Sequence, residues 1–420
     1  MRSLRICLVT TFYPPQSFGG DGVFVERLAH ALAREGHRVD VVHDAGAFHA
    51  LSPGGSSAAP EVVPNLTVRS LADGPFARAD LLARHQLGSP AGKARELQAL
   101  LSPDRYDVVH FHNVSLLGAP GLLRYGGAGG VKLCTLHDYW FVCSMHVLWR
   151  YDRERCTRRT CLSCTIAGRR PPQVWRSTGA VSRSAESVDA FLAPSETCRE
   201  LHARNGFPAP MRVLPHFVPD FSGADSPGEP AEAGVARRPY FLYAGRLERL
   251  KGIEALVEAF RSYDGADLVI AGAGSLEGSL REAVRDLPRV RFAGWVTDAG
   301  LRSLYRGAVA AIVPSLAYET FGLSAVEAFS AGIPAVVTAG GALEEVVRST
   351  RGGIVYGSAR ELLEGLAALE SGPDLRRTLG ENGRRSYLER FTEAKHLEAY
   401  TRLIGELGEL QSRSLVPRPA

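Results

Sequence analysis

The sequence predicts an α/β protein of two domains, each a parallel sheet covered by helices, and three observations predict it. The chain has 420 residues, more than one ordinary domain uses and enough for two hydrophobic cores. An apolar strand, a turn, a helical pattern and a second strand recur in that order in both halves, the rhythm of parallel βαβ units. Between the halves, residues 219–239 are rich in Pro, Gly, Ala and acidic side chains without an apolar period and read as a linker.

Taken in order, RICLVT at 5–10 is a short buried strand, and after the loop PPQSFGGDG the residues Phe24, Leu28, Ala31 and Leu32 recur at helical spacing. Gly36 ends that helix and Val39–Val42 returns as a strand. Further strands are expected at 107–112, 131–136, 190–193 and 211–214, which makes residues 1–218 the first domain. The rhythm restarts with strands at 240–244, 267–271, 289–292, 309–313 and 335–338, giving a second domain over 240–392, and a helical stretch at 393–411 closes the chain. Apolar residues make up 45% and charged ones 22%, the balance of a soluble globular protein. No apolar run approaches the ~18–20 residues that span a bilayer. The N-terminal apolar stretch breaks at Pro14 and lacks a small-residue cleavage site, so it reads as a strand and not a signal peptide. A cytoplasmic protein is expected, with the inner face of the membrane as the place of any surface contact.

The segment from Tyr318 to Gly332 carries the strongest chemical signal. It follows the strand AIVPS and begins a helix near Leu323, so the N–H groups of Thr320, Phe321, Gly322 and Leu323 form a helix mouth that favours a phosphate. Glu327 sits one turn in, among small and apolar residues. A buried carboxylate needs a partner, and two ribose hydroxyls would satisfy it. Glu319 precedes the helix, at the sheet edge where open α/β sheets bind ligands. Gly245-Arg246-Leu-Glu-Arg-Leu-Lys251-Gly252 follows the first strand of the second half and sets two cations five residues apart. Cations so placed can converge on a diphosphate and meet the charge that builds as it leaves. No Asp-x-Asp pair occurs in the chain, so no carboxylate clamp for a catalytic divalent ion is expected, nor any other catalytic cofactor.

The two glutamates resemble the E-x7-E motif of the retaining glycosyltransferases of family 4, and the cations resemble that family's G-R-x4-K-G pattern. The resemblance covers nearly the whole chain and implies the GT-B fold, in which two Rossmann-like domains face each other across a cleft and a C-terminal helix returns to the N-terminal domain. It implies that Glu319 lies against the donor sugar, that Glu327 holds the ribose, and that Arg246 and Lys251 bind the diphosphate of a nucleotide sugar. The Gly19-Gly20 loop would face that diphosphate; the bare loop also suits a tight turn. Gly272 and Val296 would border the donor nucleotide. Gly272-Ala-Gly274 is no dinucleotide fingerprint, because the third glycine, Gly278, falls one place late. His137, ending a strand in Thr-Leu-His-Asp, resembles the family's N-domain histidine near the reacting sugar. His112 is a second choice and His110 a core residue. The chain departs from the family at Leu-Pro-His-Phe-Val, where His216 stands in place of a frequent Asn.

Cys143, Cys156, Cys161 and Cys164, spaced C-x12-C-x4-C-x2-C in an insertion at about 140–180, suggest a structural zinc site; unpaired thiols or disulfides are the alternatives. The insertion is also basic, with Arg150, Arg153, Arg155, Arg158, Arg159, Arg169, Arg170 and Arg176 among Trp149, Tyr151 and Trp175. Such a patch suits anionic lipid headgroups or a diphosphate-linked acceptor, or else is a solvated face. The activity implied is transfer of a sugar from a nucleotide sugar to a sugar, lipid-linked or small-molecule hydroxyl, with no nucleic-acid partner. A nucleotide-sugar epimerase of the same fold and a catalytically silent binding protein are the alternatives.

Overall fold

The computed structural model describes residues 3–52, 55, 58–72, 77–102, 104–126, 129–223 and 238–414. Residues 224–237, most of the expected linker, lie outside them. Contacts divide the chain into two units: one holds the residues up to Val147, Arg158–Leu214 and His396 onward, the other Leu148–Thr157 and Pro215–Lys395.

The first unit contains β1 (Arg5–Val9), β2 (Arg38–His43), β3 (Leu66–Ser70), β4 (Val108–Phe111) and β5 (Val131–Thr135). The short hairpin of β6 (Trp149–Arg150) and β7 (Glu154–Arg155) follows and groups with the second unit. β8 (Ala190–Ala193) and β9 (Met211–Val213) complete a seven-stranded sheet in the order β3-β2-β1-β4-β5-β8-β9, all parallel. Parallel strands covered on both faces read as continuous apolar runs. Ile6, Cys7, Leu8 and Val9 are accordingly all buried. The helix Gly20–Arg34 buries Phe24, Leu28, Ala31 and Leu32 and stops at Gly36, whose φ of 85° no side chain favours. There the N–H groups of Gly36 and His37 turn back to the carbonyls of Ala33 and Leu32, the paired bonds of a Schellman end.

The second unit contains β10 (Tyr240–Ala244), β11 (Asp267–Ala271), β12 (Val290–Gly294), β13 (Ala310–Val313), β14 (Ala335–Thr338) and β15 (Gly353–Tyr356), parallel in the order β12-β11-β10-β13-β14-β15. Alternate residues of each strand feed opposite cores. Leu242, Val269 and Val337 pack with Val326 and Phe329 on one face, while Phe241, Ile270 and Val336 pack with Leu256 and Phe260 on the other. Strand order reverses between β10 and β13, so the loops after these two strands diverge and leave room for a ligand. The edge strands β3 and β15 are absent from the sequence-based expectation. Each is only four or five residues long, and β15 opens on Gly353, where a Cβ would collide with the carbonyl of Ala335.

The closing helix, Glu393–Ser414, buries Leu397, Tyr400, Leu403, Ile404 and Leu407, one apolar stripe at helical spacing. Tyr400 donates or accepts a hydrogen bond at Nδ1 of His110 (3.1 Å), whose Nε2 meets Oγ1 of Thr135 at 2.8 Å. His110 is therefore a satisfied core residue, and burial pushes its pKa well below the ordinary histidine value.

Candidate active site

Two loops of the second unit build the site. The loop after β10 carries Gly245–Gly252, and the loop after β13 carries Pro314–Gly322. They are tied backbone to backbone, since the N–H of Leu316 donates to the carbonyl of Leu250 at 2.9 Å. Gly252, at φ 70°, must be glycine here because a Cβ would overlap the carbonyl oxygen of Pro314. That close approach brings Lys251 to the second loop. Its Nζ donates to Oε1 of Glu319 at 2.6 Å, and the hydroxyl of Ser315, itself buried, donates to the same oxygen at 2.7 Å. Burial works to raise the Glu319 pKa, but Lys251, Ser315 and the charge of Arg246 together hold it below the ordinary glutamate value. The result is an ionised carboxylate pinned beside a cation.

Arg246 stands exposed at the end of β10, with its backbone carbonyl fixed by the hydroxyl of Tyr243 at 2.6 Å. Arg249 pairs with Asp152 at 3.5 Å, both largely exposed. A third loop, after β11, packs on the first. The N–H of Leu247 donates to the carbonyl of Ala273 at 3.0 Å, and Gly272 (φ 136°) passes so close to Gly245 that a Cβ would overlap its carbonyl. Val296 follows the turn at Gly294, beside Trp295, which is 77% exposed.

The helix runs Leu323–Ser330, with Gly322 as its N-cap at φ 105° and no side chain capping its first N–H groups. Phe321 is buried against Phe391 and His216, with ring centroids 5.7 and 5.5 Å apart. His216, the departure from the family pattern, is thus buried beneath this helix mouth. Thr320 and Leu323 are half-buried. Ser324 fastens the helix to the end of β10 by donating to the carbonyl of Ala244 at 3.2 Å. Glu327 is only 9% exposed and accepts from the hydroxyl of Tyr305 at 3.0 Å. Ser315, Ser324 and Tyr305, which hold the site, gave no signal in the sequence; only their position near strand ends or one helix away could have suggested them.

The expected residues of the first unit lie apart in the chain from these loops and form their own cluster. Nε2 of His137 and Nδ1 of His112 are 2.9 Å apart, and the His137 ring lies 5.6 Å from that of Phe24. Burial lowers the His137 pKa, against the pull of Asp21 and Asp138. Neutral imidazoles suit this pair, because one nitrogen must donate while the other accepts. Gly19 is the N-cap of the helix Gly20–Arg34, with extended backbone, and Gly20 is exposed.

Among the described residues no group of three or more His, Cys, Asp or Glu side chains is placed to hold a metal ion. Cys161 is exposed and Cys164, one turn on in the helix Cys161–Ala167, is buried. Among the described residues no helix is long and apolar enough to cross a membrane.

Residues 18–220 match the family model for Glycosyltransferase Family 4, and residues 229–386 match that for glycosyl transferases group 1. The chain is 30% identical over 379 residues to the glycogen synthase of Mycobacterium tuberculosis, an alignment covering 84% of this chain and 82% of that one. Among solved structures it is similar to sucrose-phosphate synthase from Thermosynechococcus elongatus, with a TM-score of 0.72 at 22% identity over 96% of this chain and 100% of the other. It is also similar to HepE of Anabaena in complex with UDP-glucose, with a TM-score of 0.66 at 17% identity over 96% and 100% of the two chains. Both structures share the GT-B architecture of two Rossmann-like domains, and with the two family models and the glycogen synthase they identify this chain as a glycosyltransferase of family 4.

Proposed function

We propose that the protein transfers a hexose from a nucleoside-diphosphate sugar to an acceptor hydroxyl with retention at the anomeric carbon. The observation that carries this reading is the Lys251–Glu319 pair, a cation and an ionised carboxylate set 2.6 Å apart where strand order reverses. Lys251, Arg246 and the helix mouth from Thr320 to Leu323 would receive the diphosphate, Glu327 the ribose, and Glu319 the sugar. A carboxylate whose oxygen already accepts from Lys251 and Ser315 is a poor nucleophile, which favours attack by the acceptor itself. In that step the acceptor hydroxyl approaches the face from which the diphosphate departs. The bond from the anomeric carbon to the diphosphate breaks, the bond to the acceptor oxygen forms, and the hydroxyl proton passes to the departing phosphate oxygen. The paired cations and the helix mouth stabilise the charge left behind. In this reading Gly272 and Val296 lie along the donor.

UDP-glucose is the first donor to try, since HepE binds it. A melting panel of UDP-glucose, UDP-galactose, UDP-N-acetylglucosamine, GDP-mannose, UDP and GDP should contain at least one compound that raises Tm with concentration, because a ligand of the native state stabilises it by mass action. Proton NMR of the product should then show the donor's anomeric configuration. No shift from any compound contradicts the donor reading; an inverted product contradicts retention alone, and sugar epimerised without acceptor favours the epimerase.

The acceptor side carries a second observation. Between Arg155 and Ala185 the sequence has no Asp or Glu. In that stretch Arg158, Arg159, Arg169 and Arg170 are exposed together with Leu162, Ile166 and Val174. Exposed arginines beside exposed aliphatics suit an anionic lipid surface, and hence a lipid-linked acceptor in polysaccharide or glycolipid synthesis. The protein should sediment with phosphatidylglycerol vesicles and not with phosphatidylcholine ones, and salt should release it. Equal sedimentation with both, or with neither, contradicts this assignment.

A further inference from the structure

The hairpin β6–β7 comes from the Cys-rich insertion, yet it packs on the two loops that carry Lys251 and Glu319. The chain leaves the first unit at Leu148 and rejoins it at Arg158. Within those ten residues the hairpin closes by a bond from the N–H of Arg153 to the carbonyl of Arg150 at 3.0 Å, with Tyr151 and Asp152 both at positive φ, 52° and 55°. Two successive left-handed residues form the centre of a type I′ turn over Arg150–Arg153, and Asn-Gly adopts that turn without strain. Tyr-Asp, with no glycine, adopts it at a backbone cost. Asp152 meets Arg249 of the first loop. That pair is exposed and contributes little. Arg155 does more: its Nε donates to the carbonyl of Leu316 at 2.9 Å, and its guanidinium lies over the ring of Tyr318, 4.9 Å from the centroid. It also fills the space beside Gly340, where a Cβ would overlap it, and its charge helps to keep the Glu344 carboxylate below the ordinary range, after Arg348 and the Gly340 N–H.

Leu316 and Tyr318 are the residues that lead the chain into Glu319, and the N–H of Leu316 is bonded to Leu250, next to Lys251. We propose that Arg155 is a positioning residue for sugar transfer: by gripping the Leu316–Tyr318 turn from both its carbonyl and its aromatic face, it sets Glu319 at bonding distance from Lys251. The proposal rests on the reading of Glu319 as the carboxylate beside the donor sugar. A lysine would not substitute, because it lacks the planar fork that can bond the carbonyl and stack at once.

The test uses Arg155→Ala, Arg155→Lys and Glu319→Gln in the full chain. Activity is read as nucleoside diphosphate release from the panel sugar that stabilises the wild-type protein most. Both Arg155 variants should lower kcat about tenfold or more while changing KM for the donor less than about threefold, since a carboxylate displaced by an ångström impairs the reaction more than binding. They should also move the acid limb of the kcat/KM profile upward, because Glu319 freed from Lys251 keeps its burial and loses its cation. Hydrogen exchange over residues 312–321 should quicken in either variant, a readout that needs no turnover. Wild-type kcat, an unmoved acid limb or unchanged exchange in this segment overturns the proposal, even if Tm falls. If Glu319→Gln keeps wild-type activity, the underlying reading of Glu319 fails instead, and the two failures are distinct.

Discussion

Replacing Lys251 with alanine should lower turnover of the nucleotide sugar by about 10²- to 10³-fold, the range seen when one fixed donor to a developing oxyanion is removed. Lys251 serves two charges in this structure. Before the reaction it neutralises Glu319, and as the diphosphate departs it can meet the new negative charge. The loss should therefore fall on kcat and not on donor affinity alone. Stability should also change with pH in a stated direction. The Glu319 pKa is depressed in the folded protein, so its ionisation stabilises the fold above the unfolded pKa, and that contribution disappears as pH falls through the folded value. In Lys251→Ala the burial of Glu319 goes unopposed by its nearest cation, its pKa rises, and the variant should lose stability at neutral pH and regain part of it in mild acid. Melting curves of both proteins between pH 4 and 8 check the sign. Wild-type turnover in the variant contradicts the assignment of Lys251 to the leaving group.

Glu327→Ala should weaken donor binding by about 10²-fold or more, with a smaller effect on kcat at saturating donor. A carboxylate accepting two ribose hydroxyls contributes two hydrogen bonds to a charged group, each ~1.5–3 kcal/mol, and truncation removes both. The structure fixes the orientation of this carboxylate: Tyr305 donates to Glu327 at 3.0 Å and also reaches the carbonyl of Ser324 at 3.3 Å. Tyr305→Phe should consequently reproduce part of the affinity loss without removing the carboxylate. Calorimetric titration with the free nucleoside diphosphate measures both variants. Unchanged affinity in Glu327→Ala would remove the ribose from this position.

The sequence made the strand ends legible because buried parallel strands are dense in Val, Ile, Leu and Ala. The motif residues were legible because each glutamate and each cation falls at a fixed distance from such an end. Their pairing was not. Lys251 and Glu319 are 68 positions apart, and only the close pass of Gly252 under Pro314 brings them together. Arg155 was hidden for a different reason. It is one arginine among eight in an insertion whose charge pattern suggested a surface, and nothing in that pattern distinguishes the one that turns inward to Leu316 and Tyr318. His110 lies in β4 and His112 just past its end, and the first is spent on Thr135 and Tyr400 in the core and the second on His137.

The central claim is that one set of side chains in the second unit grips the whole donor. A crystal structure with the bound nucleotide sugar tests it most directly. The account predicts diphosphate oxygens within hydrogen-bonding reach of Arg246, Lys251 and the N–H groups at Leu323, ribose hydroxyls on Glu327, and the hexose beside Glu319. A nucleotide bound elsewhere, with these four side chains untouched, would contradict it.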